Sequence, residues 1–204
     1  EVPRGRIECK DGKDGPPWGT LREAAVDLVE KVLPKTTDEE WLAGLREAQT
    51  YLHSHGITML QDANVNPRMA EIYHKAASTG QLTMKVVAAQ ITDPGKPASQ
   101  AEELAQRRDR YSVGRFSASA AKVFVDGVLE SNTPPVLAPY VGTDQRGILN
   151  WQPGAVLGEM VTQLDRRGLQ VHMHAIGERA VREGLDALAA ARSANGPSDK
   201  RHHM

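Results

Sequence analysis

"AAKVFVDG" (Ala120–Gly127) and "LQVHMHAIG" (Leu169–Gly177) are the two stretches on which the fold turns. Read as strands, the side-chain period of two puts Ala121, Val123 and Val125 on one face of the first and Lys122, Phe124 and Asp126 on the other. The second divides in the same way, with Leu169, Val171 and Met173 opposite Gln170, His172 and His174. A parallel sheet covered by helices on both sides prefers apolar residues on both faces. Polar groups on one face of several parallel strands instead suggest a barrel whose lumen holds an active site at its C-terminal mouth.

Working outward, the surrounding pattern alternates between the helical and the strand period. "TTDEEWLAGLREAQTYLHSHG" opens with Thr37 as N-cap and Glu40 three residues on, a capping box, and ends at Gly56. "ITMLQDA" follows as a strand, then "PRMAEIYHKAASTG" as a helix, "KVVAAQIT" as a strand and "SQAEELAQRRDRY" as a helix. After the lysine strand comes a long Pro- and Gly-containing loop, 128–151, and loops of that length are usually functional or disordered. "GAVLGEMVTQLDRRG" and "ERAVREGLDALAAARSANG" read as helices on either side of the histidine strand. Nearer the start, "KDGKDGPPWGT" reads as a loop, and "LREAAVDLVEKVL" (Leu21–Leu33) is expected to be a helix stopped by Pro34. Strand–helix alternation of this kind means a parallel sheet. Neither a G-x-G-x-x-G nor a Walker-type phosphate loop follows any strand, which removes the usual argument for a nucleotide fold.

The 204 residues suffice for one ordinary domain with a real core. Charges of both signs are scattered, 25 basic against 26 acidic, so there is no electrostatic footprint for nucleic acid or an anionic membrane, and the expected partner is a small molecule. The single cysteine, Cys9, cannot make an internal disulfide and fits a reducing, cytoplasmic setting. No apolar stretch approaches the ~18 residues of a membrane span. The chain begins at Glu1 and stops at "DKRHHM", and reads as a piece of something longer.

Three histidine clusters compete for a chemical role. His53 and His55 sit at the end of a helical pattern, where cationic side chains favourably meet the helix dipole. His202 and His203 are either exposed or the start of a further strand. His172 and His174 share a strand face that leads into a glycine turn, and are either hydrogen-bonded core residues or ligands. Lys122 sharpens the choice, because a buried ammonium costs several kcal/mol unless it is neutralised, paired or modified. Asp126 on the same face is the candidate counter-charge. The alternatives are a Schiff-base lysine, or a lysine carboxylated by CO2 whose carbamate bridges two metals.

"AKVFVDG" and "VHMHAIGERA", preceded by "GTLREAA" and "LHSHGITMLQDA", together resemble the central part of the amidohydrolase superfamily, nearest the branch that includes N-substituted formamide deformylases. The resemblance implies an α/β fold, a partial (β/α)8 TIM-type barrel spanning 1–204 and lacking its N- and C-terminal parts. It implies a metal-dependent hydrolase of amide-type, non-peptide carbon–nitrogen bonds using one or two divalent metals, zinc by expectation. It makes Lys122 and His174 metal ligands, with His172 and Asp126 as neighbours in the substrate pocket. The family's first-strand H-x-H and its general acid/base aspartate have no match here, so the catalytic residue is unknown. "RHHM" resembles the approach to a later histidine strand whose ligand lies slightly further on, so His203 is not that ligand. A barrel short of strands has unpaired edges, from which association between copies is expected. Two rivals stand beside this reading: an aldolase-like barrel with Lys122 as Schiff base, and a non-catalytic small-molecule-binding domain.

Overall fold

A computed structural model describes residues 5–11, 15–23, 25–129, 133–152 and 154–204. The chain divides into two compact units, residues 1–37 and 38–204.

In the first unit, β1 (Gly5–Cys9) pairs antiparallel with β2 (Pro17–Glu23), in the register Arg6↔Arg22 and Ile7↔Leu21. Like charges directly opposite one another are unfavourable. Here Glu8 offsets them, its carboxylate oxygen taking Arg22 Nε at 2.5 Å and the Arg6 guanidinium as well. The helix expected over Leu21–Leu33 is corrected by this pairing. Leu21, Arg22 and Glu23 finish β2, and among the described residues of this stretch only a single turn, α1 (Asp27–Glu30), is helical. The ladder to β1 satisfies the backbone first, and Val26, Leu28, Val29, Val32 and Leu33 are exposed, so no buried stripe exists to extend a helix. The expected loop is corrected in part, since Pro17–Thr20 are strand, while Gly12–Asp14 lie outside the described residues.

The second unit alternates as the sequence predicts: α2 (Asp38–Ser54), β3 (Met59–Val65), α3 (Pro67–Ser78), β4 (Lys85–Ile91), α4 (Gln100–Tyr111), β5 (Phe116–Phe124), α5 (Gly154–Arg166), β6 (Gln170–His174) and α6 (Glu178–Asn195). Local chemistry sets the boundaries. Asn66 caps α3 by accepting the Met69 N–H, with Pro67 in the first turn, and Gly80, at φ 74°, closes it in a left-handed conformation that suits glycine.

The strands lie in the order β3-β4-β5-β6, every neighbour parallel. Doubly wound sheets reverse strand order at a switch point, whereas barrels add strands in sequence. The order here is sequential, and the sheet is a curled half-barrel. Helices pack on one face. Val86, Ala88, Phe116 and Ala118 join α3 residues in one core cluster, while Ala121, Val123, Val125, Leu169, Val171 and Met173 join α4, α5 and α6 in another. The helix-facing residues of β5 thus change from even to odd positions. A register shift between Val87/Ala89 and Ser117/Ala120 accounts for it, two steps on β4 matching three on β5. That irregularity turns Lys122 away from the helices. No helix among the described residues is long and apolar enough to cross a membrane.

Candidate functional site

The face of β4–β6 turned from the helices carries the polar residues singled out by alternation. Register places Ile91 beside Lys122 and Lys122 beside His172, with Phe124 beside His174. Beyond β6 the chain pairs once more in parallel, His172 to His203, through Met173 N–H to the His203 carbonyl at 2.9 Å and His203 N–H to the Val171 carbonyl at 3.0 Å. His203 therefore stands at the start of a further parallel pairing, and its ring lies 4.3 Å, centroid to centroid, from that of His172. The result is a row across adjacent chains: Lys122, His172, His203.

Lys122 is 7% exposed, and the described residues offer its ammonium no carboxylate. Its nearest compensation is the Phe124 ring, 4.9 Å from Nζ to the centroid, a weak cation–π contact. Burial pushes the ammonium below its ordinary pKa. Asp126 does not neutralise it, because that carboxylate accepts the N–H groups of Ile176 (2.9 Å) and Gly177 (2.8 Å) and so fixes the turn from β6 into α6. The same turn is held from the other side. Arg179 N–H donates to the Pro135 carbonyl, and a Cβ on Gly177 would lie 2.2 Å from that oxygen, so only glycine fits.

His172 has a buried Nδ1 without a hydrogen-bond partner among the described residues. Burial, then the neighbouring Lys122 and His203, push its pKa down to about 4. It stays neutral near pH 7. His174 donates from Nε2 to the Gly127 carbonyl at 3.0 Å, with Asp126 Oδ1 at 3.7 Å. That bond fixes the tautomer and leaves Nδ1 as the nitrogen with a free lone pair, the usual arrangement of a ligating histidine.

In donor type these groups match what a divalent metal takes: imidazole nitrogens on His174 and His172, and a buried lysine that would become an anionic oxygen donor if carboxylated. Among the described residues no three His, Cys, Asp or Glu side chains gather to hold a metal by themselves. The other histidine pair lies elsewhere. His53 bonds Thr83 Oγ1 at 2.9 Å and His55 bonds the Tyr51 carbonyl at 2.9 Å, both exposed at the end of α2.

Two contributors were not legible in the sequence. The Gly127 carbonyl, which orients His174, has no side-chain signature. Asp165, Asn195, Lys200 and His202 form a cluster on the helix side of β6 that only the tertiary fold assembles.

All of residues 1–204 match the sequence model of the Amidohydrolase family. The chain belongs to the amidohydrolase family. Among curated relatives, "Putative amidohydrolase YtcJ" of Bacillus subtilis (strain 168) is 26% identical over 98% of this chain and 37% of its own length. "Exoenzymes regulatory protein AepA" of Pectobacterium carotovorum subsp. carotovorum is 27% identical over 91% of the chain and 40% of its own length. The chain thus spans well under half the length of these curated relatives. In fold it is similar to an uncharacterized metal-dependent hydrolase from Pyrococcus furiosus, with TM-score 0.68 and 24% identity over 91% of this chain and 38% of that one. A second such protein, from Pyrococcus horikoshii OT3, gives TM-score 0.67 at 22% identity, over 89% and 37% of the two chains.

Proposed function

We propose that this chain carries part of the catalytic centre of a metal-dependent hydrolase that cleaves amide-type, non-peptide carbon–nitrogen bonds in small molecules, with N-substituted formamides as the first substrates to try. The observation that carries the reading is Lys122: a lysine 7% exposed on the lumen face of a half-barrel, in register with His172 and held by no carboxylate among the described residues. Retaining a buried cation without an anion costs stability, and such costs concentrate at functional sites.

Burial favours the neutral amine. That amine adds to CO2, forming an N–C bond and releasing one proton, and the carbamate turns an unpaired cation into an anion with two oxygen donors. Lys122 in this form and His174 through Nδ1 would hold the metal, zinc by preference for this donor set. When bound, one or two divalent metals supply Lewis acidity and make water a nucleophile at neutral pH. Asp126 serves the site indirectly, by holding the Ile176–Gly177 turn through which β6 presents His174. Gly127 orients that ring through its carbonyl.

A lowered lysine pKa also suits Schiff-base chemistry, and one experiment separates the two. In the full-length protein, Lys122→Ala should abolish hydrolysis of a formamide and small-amide panel, and adding a short carboxylic acid should restore part of it by placing a carboxylate in the vacated space. Absence of rescue, together with borohydride trapping of substrate on Lys122 and indifference to chelators, would establish the aldolase-like reading instead.

A further inference from the structure

On the helix side of β6 the carboxylate of Asp165, 2% exposed at the end of α5, collects donors from the end of α6 and from the segment that follows it. Asn195 Nδ2, at the end of α6, donates to Oδ2 at 2.7 Å. Lys200 Nζ and His202 Nε2, from the segment after α6, donate to Oδ1 at 2.9 and 3.0 Å, and Ser198 Oγ lies at 3.4 Å. His202 then reaches the sheet, its Nδ1 accepting the Val171 N–H at 2.9 Å. The imidazole is thus a neutral bridge with an assigned tautomer, donor at one end and acceptor at the other. Gln170 completes the clamp by donating from Nε2 to the carbonyls of Lys200 (3.0 Å) and Arg201 (2.7 Å).

The geometry has a consequence on the opposite face. Adjacent residues of an extended chain point to opposite sides of a sheet. With His202 tied to Asp165 on the helix side, His203 can only face the lumen, and its backbone pairing fixes it beside His172. A slip of one residue would exchange the two histidines. We infer that Asp165 and His202 are positioning residues: a carboxylate–imidazole bridge behind the sheet that sets the register of the chain leaving α6 and so places His203 against His172 in the lumen row. Its relevance to catalysis rests on the lumen being the active site as proposed above, whereas the positioning itself does not.

The test is NMR on the 204-residue chain. His202→Ala should speed amide exchange of Met173 and His203 by about tenfold or more relative to the amides of β4, reflecting loss of the bridging hydrogen bonds. It should also erase the ring-to-ring NOE between His172 and His203. His202→Asn, whose amide reaches about as far as Nδ1 and so keeps an acceptor for Val171 N–H, should recover most of both; His202→Gln, whose amide reaches about as far as Nε2 and so serves Asp165 instead, should recover less. Asp165→Asn provides an independent variant should His202→Ala lose its far-UV signature, with the same two readouts expected to move. Retention of the NOE and of Met173 and His203 protection in both His202→Ala and Asp165→Asn overturns the inference. The proposed metal chemistry fails separately, through the Lys122→Ala rescue experiment.

Discussion

On the helix side of β6, the buried carboxylate of Asp165 meets an amide, an ammonium and an imidazole at hydrogen-bond distance; on the lumen side, Lys122 meets a phenyl ring and His172 buries a nitrogen that bonds none of the described residues. The two clusters lie on opposite sides of β6, and the central group of each, Asp165 or Lys122, is buried. They differ in whether the burial of polarity is compensated. A satisfied network ties elements together, and its charge is held in its favoured state: desolvation raises the pKa of Asp165, yet the bonds from Lys200, Asn195 and His202 outweigh it and bring the value down to about 2. An unsatisfied one leaves burial uncompensated by the described residues. The first arrangement holds the register of the fold, and the second is where the proposed metal chemistry would sit.

The sharpest way to break this contrast is to remove one member from each side and compare stability. Asp165→Ala leaves Lys200 and His202 without their buried acceptor, and denaturant unfolding should show a loss of about 3–5 kcal/mol, the usual consequence of breaking a buried pair. Lys122→Met should act in the opposite direction. Replacing an uncompensated buried cation by an apolar side chain of similar length should raise stability by about 1–4 kcal/mol while abolishing activity of the full-length protein. If Lys122→Met destabilises as Asp165→Ala does, the lumen lysine is structural and the contrast collapses.

Acid sharpens the comparison at smaller amplitude. The folded-state pKa of His172, about 4, lies below its ordinary 6.5, so between these values the unfolded chain binds more protons and stability falls as pH drops from 6.5 towards 4. His172→Gln should flatten that window. Asp165 contributes in a separate one: its stabilisation is fully present above pH 3.8 and is lost as pH falls towards 2. A pH titration of unfolding free energy in the wild type and the two variants, His172→Gln and Asp165→Ala, resolves the windows.

Much of the sheet was legible because its strands obey the simplest periodicity. Ala121, Val123 and Val125 pack against helices and Lys122 and Phe124 face away, as alternation alone requires. The first unit was not legible, since Leu21–Leu33 has the spacing of a helix but its first residues are claimed by long-range pairing with Gly5–Cys9. Nor was the irregularity in β5 that inverts which positions face the helices, because no Gly or Pro marks it. At the site, residue types could be read but not their commitments: nothing in "KVFVDG" says that the aspartate serves the amides of Ile176 and Gly177 and leaves the lysine uncompensated. Asp165 and His202 escaped notice for the same reason, their meaning lying in partners distant along the chain.

If the lumen's polarity is the inner wall of a metal site, as proposed, it shows in the metal content of the full-length protein after exhaustive dialysis, measured for the wild type and for Lys122→Ala, His174→Ala and Asp165→Asn. Bound divalent metal is expected in the wild type, with loss of most of it in Lys122→Ala and His174→Ala and retention in Asp165→Asn. Wild-type stoichiometry in both lumen variants would contradict it.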